Sequence, residues 1–293
     1  MAVYVVGDFL RETRLRKGYT QEEVSYGICT TASLSRIENG AQKPGRLILE
    51  KLFERLGTEN NLFNSFVSRE EMELYSAIQE LIRNVTDAEI DKIHKQILIV
   101  EKLTENTSDL ERQCLLFAKG ELIKRKEKDY STAIEWLMKA IHITLPDFDG
   151  ENPLRNNLLT FDEIMIINGI AILHAKSGNV MTAIQLDMWL KEYMEDKIVD
   201  GTMKKAKYPM IIYNLSNWFG NKQCHTEALK LADEGINFCV KYGNLVILPS
   251  LILNKGVALA ELGDIDDARK YLHQAITIFD VMKKEETIQS VLD

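Results

Sequence analysis

The sequence predicts an all-α chain of two domains, a small N-terminal bundle followed by a longer array of helical hairpins. Three observations carry this. Ser/Thr-x-x-Glu capping boxes recur at Thr20/Glu23, Ser68/Glu71, Thr86/Glu89, Ser108/Glu111 and Thr160/Glu163. Each marks a helix start, because the paired side chains cover two backbone donors that are open there. Apolar residues recur three and four apart, and no stretch shows convincing strand alternation. Four segments of the second half also align with one another as paired helices.

Composition bounds the function. At 293 residues there is material for two domains. No apolar run approaches the ~20 residues a membrane helix needs, and the longest, IMIINGIAIL, is broken by Asn168 and Gly169. MAVYVVGDFL lacks the basic start and long apolar core of a secretory signal. Cys29, Cys114, Cys224 and Cys239 are scattered, with no Cys-x-x-Cys pair and no His at ligand spacing. They read as reduced thiols of a cytoplasmic protein with no metal or cofactor. The net charge of -8 is unevenly spread: residues 1–57 hold nine Lys/Arg against seven Asp/Glu, leaving 27 against 37 for the rest. Nucleic acid, if bound, is therefore expected at the N-terminal piece.

Gly7 to Lys17 reads as the first helix, with Phe9, Leu10 and Leu15 as its apolar contacts and Arg11, Arg14, Arg16 and Lys17 as a basic end. Thr20 caps a second, two-turn helix from Gln21, with Val24 and Ile28 on one face. Thr30 or Thr31 caps a third, in which Leu34 and Ile37 point inward and Asn39-Gly40 stops the helix. Its outward face is then Ala32, Ser35, Arg36 and Asn39, with Thr31 leading. Small residues let such a helix enter a major groove, and Arg is the common bidentate partner of guanine. Gln21, at a helix start, is placed to meet a phosphate. GAQKPG forms a loop where Lys43 and Arg46 flank Pro44-Gly45, within reach of phosphates though such cations are usually just solvated, and Leu47 to Leu56 closes the bundle as a further helix. A short joining piece from Thr58 to Val67 completes it.

The segment TQEEVSYGICTTASLSRIENG resembles the helix-turn-helix of the phage-repressor class, also called the XRE or Cro/C1 class, most closely at SLSRIENG. The resemblance implies a five-helix N-terminal DNA-binding domain over residues 1–66. It also implies base contacts from Thr31, Ala32 and Arg36 and phosphate contacts from Gln21 and Asn39.

A linker helix is expected over 67–85, carried by Leu74, Tyr75, Ile78, Leu81, Ile82 and Val85. Residues 86–293 then hold the aligned segments CLLFAKGELIKRKEKDYSTAIEWLMKAI, IINGIAILHAKSGNVMTAIQLDMWL, IYNLSNWFGNKQCHTEALKLADEGI and ILNKGVALAELGDIDDARKYLHQAI. Ala133, Ala183, Ala228 and Ala268 open the second helix of each. Their spacings of 50, 45 and 40 are looser than the 34 of a plain tetratricopeptide repeat. The last copy follows that repeat best, at Gly256, Gly263-Asp264, Ala268, Leu272 and Ala275. We read a tetratricopeptide-like α-solenoid of about five hairpins.

Asn168, Asn214 and Asn254 hold nearly equivalent places in successive copies (IIN, IYN, ILN). An Asn amide both donates and accepts, so such a row suits the backbone of an extended peptide, with Tyr213, Trp218, Phe161 and Tyr208 available to select side chains. Lys204, Lys205 and Lys207 form a basic cluster read as a solvated loop, with a contact to a peptide carboxylate as the alternative.

As a whole the chain resembles the Rgg, PlcR and PrgX group of peptide-pheromone-responsive regulators of Gram-positive bacteria, with ICTTASLSRIENG nearest the PlcR branch. That implies a cytoplasmic homodimer, a double-stranded and palindromic operator, and control by a short signalling peptide. The alternative is a phage-type repressor whose repeats dock a protein. No nucleophile, phosphate loop or metal motif supports an enzyme.

Overall fold

A computed structural model describes residues 6–58, 69–87, 90–103, 108–152, 158–196 and 201–284. Fourteen α-helices and no strands are present among the described residues. The chain divides into two compact units, residues 1–186 with 198–200, and residues 187–197 with 201–293.

The first unit begins with α1 (Val6–Arg16), α2 (Gln21–Ser25), α3 (Thr31–Glu38) and α4 (Arg46–Arg55). The fifth helix expected in this domain falls between 58 and 69, outside the described residues, as does Ser68 of the Ser68/Glu71 capping box. Thr86, expected to cap the next helix, is instead the penultimate residue of the helix Arg69–Asp87, and its partner Glu89 lies outside the described residues. Leu10, Val24, Leu34, Ile37, Leu52, Phe53 and Leu56 fill the core between the four helices. Full burial of each such side chain contributes about 1.5–3 kcal/mol. The capping box at Thr20 and Glu23 is formed, and Thr30 rather than Thr31 caps α3 by accepting the Ser33 N–H.

Two residues of α1 depart from the sequence reading. Leu15 is exposed, so it supplies no core contact. Arg14 is buried, donating from Nε and NH2 to the two carboxylate oxygens of Glu38 at 2.7 and 2.9 Å and from NH1 to the Tyr19 carbonyl. Glu38 also accepts Gln21 Nε2 at 2.7 Å, so one carboxylate on α3 ties down α1 and α2. Gly7 permits the approach of α1 to the end of α3, since a Cβ there would meet the Ile37 carbonyl.

The same unit continues with α5 (Arg69–Asp87), α6 (Ile90–Leu103), α7 (Asp109–Lys126), α8 (Tyr130–Ile141) and α9 (Phe161–Lys176). Arg46, expected as a flanking cation, stacks over the Tyr75 ring of α5 at 4.0 Å. Ser108/Glu111 and Thr160/Glu163 form the predicted capping boxes of α7 and α9. α10 (Val180–Asp196) contributes residues 180–186 to this unit and 187–196 to the other.

The second unit holds α11 (Gly201–Asn221), α12 (His225–Tyr242), α13 (Leu248–Glu261) and α14 (Ile265–Val281). The four repeat alanines are all buried, Ala133, Ala183, Ala228 and Ala268, as expected of positions where helices close on one another. α11 contains Pro209, which removes the N–H that the Lys205 carbonyl would accept. Asn244 Nδ2, from the turn after α12, donates to that carbonyl at 3.0 Å and restores the bond. Lys204 and Lys205 lie in the first turns of α11 rather than in a loop, placed over the rings of Tyr208 and Tyr242. Tyr208 is buried and its hydroxyl lies within hydrogen-bond reach of the carboxylates of both Glu195 and Glu234, which share its one proton and also pair with Lys191.

Candidate nucleic-acid interface and ligand cleft

The third helix sets its apolar residues inward and leaves Thr31, Ala32, Arg36 and Asn39 exposed, with Ser35 half-buried beside them. This side is small and polar along the helix, with one guanidinium. The Arg36 carbonyl accepts the Ala41 N–H at 2.8 Å as Gly40 turns the chain away at φ +69. Asn39 follows the last residue of α3 and its Oδ1 accepts from Arg11 NH1 at 3.5 Å, which brings a second cation to the end of the helix. Lys43 is exposed in the following loop. Gln21 is half-buried and its amide nitrogen is engaged by Glu38. The sequence reading missed Arg11 as a neighbour of α3. Its only signal was membership of a basic helix end.

In the second unit, α11 to α14 enclose a cleft of about 700 Å³. Tyr213, Asn217 and Asn221, each one turn apart on α11, face Leu253, Asn254, Val257 and Glu261 of α13 across it. Leu272 and Ile276 of α14 add apolar surface, and His225, the first residue of α12, also lines the cleft. The structure therefore brings two of the expected residues, Tyr213 and Asn254, to one cleft. Asn254 Nδ2 also donates to the Tyr213 carbonyl at 3.4 Å. Burial raises the Tyr213 phenol above its ordinary value.

Asn214 and Trp218 are buried and are not part of the lining. Asn214 Nδ2 instead donates to Asp187 Oδ2 at 3.3 Å. Asn168 is buried within α9 of the first unit. Asn217 and Asn221 were missed, although they lie four and eight residues after Tyr213, a spacing that marks the same face.

Comparisons with known proteins agree with this architecture. Residues 5–66 match the family model described as a helix-turn-helix domain. The HTH-type transcriptional regulator YqaF of Bacillus subtilis (strain 168) is 38% identical over 63 residues, which is 21% of this chain and 83% of that protein. The crystal structure of Bacillus thuringiensis PlcR in complex with the peptide PapR7 and DNA is similar over 99% of both chains, with 19% identity and a TM-score of 0.64. The apo form of PlcR matches over 98% of this chain and 97% of its own, with 18% identity and a TM-score of 0.62. The expected order of a helix-turn-helix domain followed by a helical-repeat domain is thus borne out as a fold.

Proposed function

Because the chain belongs to the helix-turn-helix transcriptional regulators, we propose that it binds an operator through α3 and that a short signalling peptide held by its repeats controls that binding. The family is one of DNA-binding regulators, not enzymes. The observation that carries the peptide half of the reading is the cleft, whose walls alternate Asn217, Asn221 and Asn254 with Tyr213, Leu253, Val257 and Leu272. Amides suit the backbone of an extended peptide whatever its sequence, while the apolar residues between them select side chains. The likeness to PlcR, solved with a peptide and DNA, supports the same division of labour.

In this reading residues 1–66 are the DNA-binding domain, 67–85 the linker helix and 86–293 the repeat domain for ligand and dimer formation. Thr31, Ala32 and Arg36 read base edges, with Ser35 beside them. Asn39, Lys43 and the α2 start at Gln21 meet the backbone. Two copies in a cytoplasmic homodimer place two recognition helices on a palindromic operator, about one helical turn apart. A peptide acts only if it binds one arrangement of the dimer better than another.

The test is the electrophoretic mobility of DNA from upstream of the protein's own gene, with purified protein and synthetic peptides from a neighbouring small reading frame. A shift that changes with one peptide supports the proposal. A shift indifferent to every peptide removes the peptide and leaves a repressor whose repeats dock a protein.

A further inference from the structure

One face of the DNA-binding helices is used by neither α3 nor the cleft, and it is built of buried charge. Arg55 of α4 donates from NH2 to Glu163 Oε1 at 2.7 Å, neither side chain being exposed, and from NH1 to the Tyr26 carbonyl. One turn earlier, Lys51 Nζ lies 3.0 Å from Asp162 Oδ2 and 3.0 Å from Glu54 Oε1. Glu54 Oε2 in turn accepts the Phe161 N–H at 2.9 Å. The first three residues of α9 are therefore all held by α4. Burial works against the Lys51 ammonium, but the carboxylates of Asp162, Glu54 and Glu50 outweigh it and keep the lysine charged.

A second contact lies at the turn between α2 and α3. Tyr26 Oη donates to Asp147 Oδ2 at 2.8 Å. Gly27, at φ +68, lies so close to Thr144 that a Cβ would run into its carbonyl. Gln113 of α7 fixes that residue by donating to Thr144 Oγ1 at 2.7 Å and to the Ala140 carbonyl at 3.0 Å. Leu110 and Leu158 also belong to the same buried cluster as Leu34 and Leu52.

Buried ion pairs are a poor source of net stability compared with apolar contacts, because desolvation offsets their attraction, but pulling the partners apart leaves an uncompensated buried charge. A domain that merely hangs from a linker needs none. We infer that α4 and the α2–α3 turn are a docking face that locks the recognition helix to the α8–α9 region, so that displacement of α9 moves α3 as a rigid body. The lock presents the exposed face of α3 while holding its opposite side. It stands whether the regulatory ligand is a peptide or a protein.

The experiment is a distance measurement between two spin labels on the full chain, at the exposed positions Arg16→Cys in α1 and Glu135→Cys in α8, with Cys29→Ser and Cys224→Ser to remove competing thiols and the labelled chain diluted in an excess of unlabelled chain so that only pairs within one chain are read. The lock requires one narrow distance distribution. Gly27→Asn is the first wedge, since Asn tolerates a positive φ while its Cβ strikes Thr144. Arg55→Met with Glu163→Gln is the second; it removes both charges, and Gln still completes the α9 capping box. Each variant is expected to widen the distribution at least twofold with helix content unchanged by circular dichroism. A broad or multiple distribution in the unwedged chain overturns the lock, as does an unchanged narrow one in whichever variant keeps its helices.

Discussion

Arg55 and Glu163, 108 residues apart in the chain, meet at 2.7 Å with both side chains fully buried. Glu163 meanwhile accepts the Thr160 N–H through its other oxygen at 2.6 Å, so one carboxylate caps α9 and anchors α4. Arg55→Met alone strands a buried carboxylate and is expected to lower stability by about 3–5 kcal/mol, whereas Arg55→Met with Glu163→Gln costs less than either single change predicts. Urea unfolding of the three proteins measures this, and a loss below about 1 kcal/mol for the single variant would contradict the burial.

The lock carries a pH dependence. Burial raises the Glu54 carboxyl to about 7 from 4.5, with Asp162 and Glu50 adding to the rise and Lys51 and the Phe161 N–H opposing it. The folded chain thus holds a proton that the unfolded chain releases. Its contribution to stability is fully present below about 4.5 and is lost as pH rises through about 7. The urea midpoint is expected to fall over that window, and Glu54→Gln should flatten the fall. An identical slope in the variant would assign it to other groups.

Arg36 is the one cation in the exposed stripe of α3. Arg36→Ala is expected to weaken operator binding by about 1–3 kcal/mol and relax preference at one base position. Binding weakened equally on every sequence would put Arg36 on a phosphate.

The cleft separates asparagines that look equivalent in the sequence. Asn217→Ala with Asn254→Ala is expected to weaken peptide binding at least tenfold by fluorescence polarisation. Asn214→Ala should instead destabilise the fold by about 1 kcal/mol, because it removes the bond to Asp187. Peptide affinity lost through Asn214 and kept in the double variant would place the ligand elsewhere.

Asn244→Ala removes the donor that covers the carbonyl orphaned by Pro209. A loss of about 0.5–1.5 kcal/mol is expected, reported by hydrogen exchange at the start of α11. Pro209→Ala in the same chain should return most of it, by giving the Lys205 carbonyl a backbone donor.

The features legible in the sequence are those whose cause lies within a few residues. The capping boxes at Thr20, Ser108 and Thr160, the end of α3 at Asn39-Gly40 and the inward Leu34 and Ile37 follow from local hydrogen bonding and a fixed helical period. The repeat alanines were legible because packing of one hairpin on the next recurs at each copy. These suffice for the helix-turn-helix and for the array of hairpins.

Tertiary structure decided what each polar side chain meets. Lys51, Arg55 and Arg14 look like solvated cations of amphipathic helices, yet all three are buried, because Asp162, Glu163 and Glu38 arrive from distant parts of the chain. Asn214 and Tyr213 are neighbours in sequence, but one residue turns a helix by about 100°. That rotation, together with the placement of α13 against α11, sends Tyr213 to the cleft and Asn214 to Asp187. Periodicity identifies a helix and its apolar side; only the crossing of one helix with another determines which polar residues bind and which are built into the core.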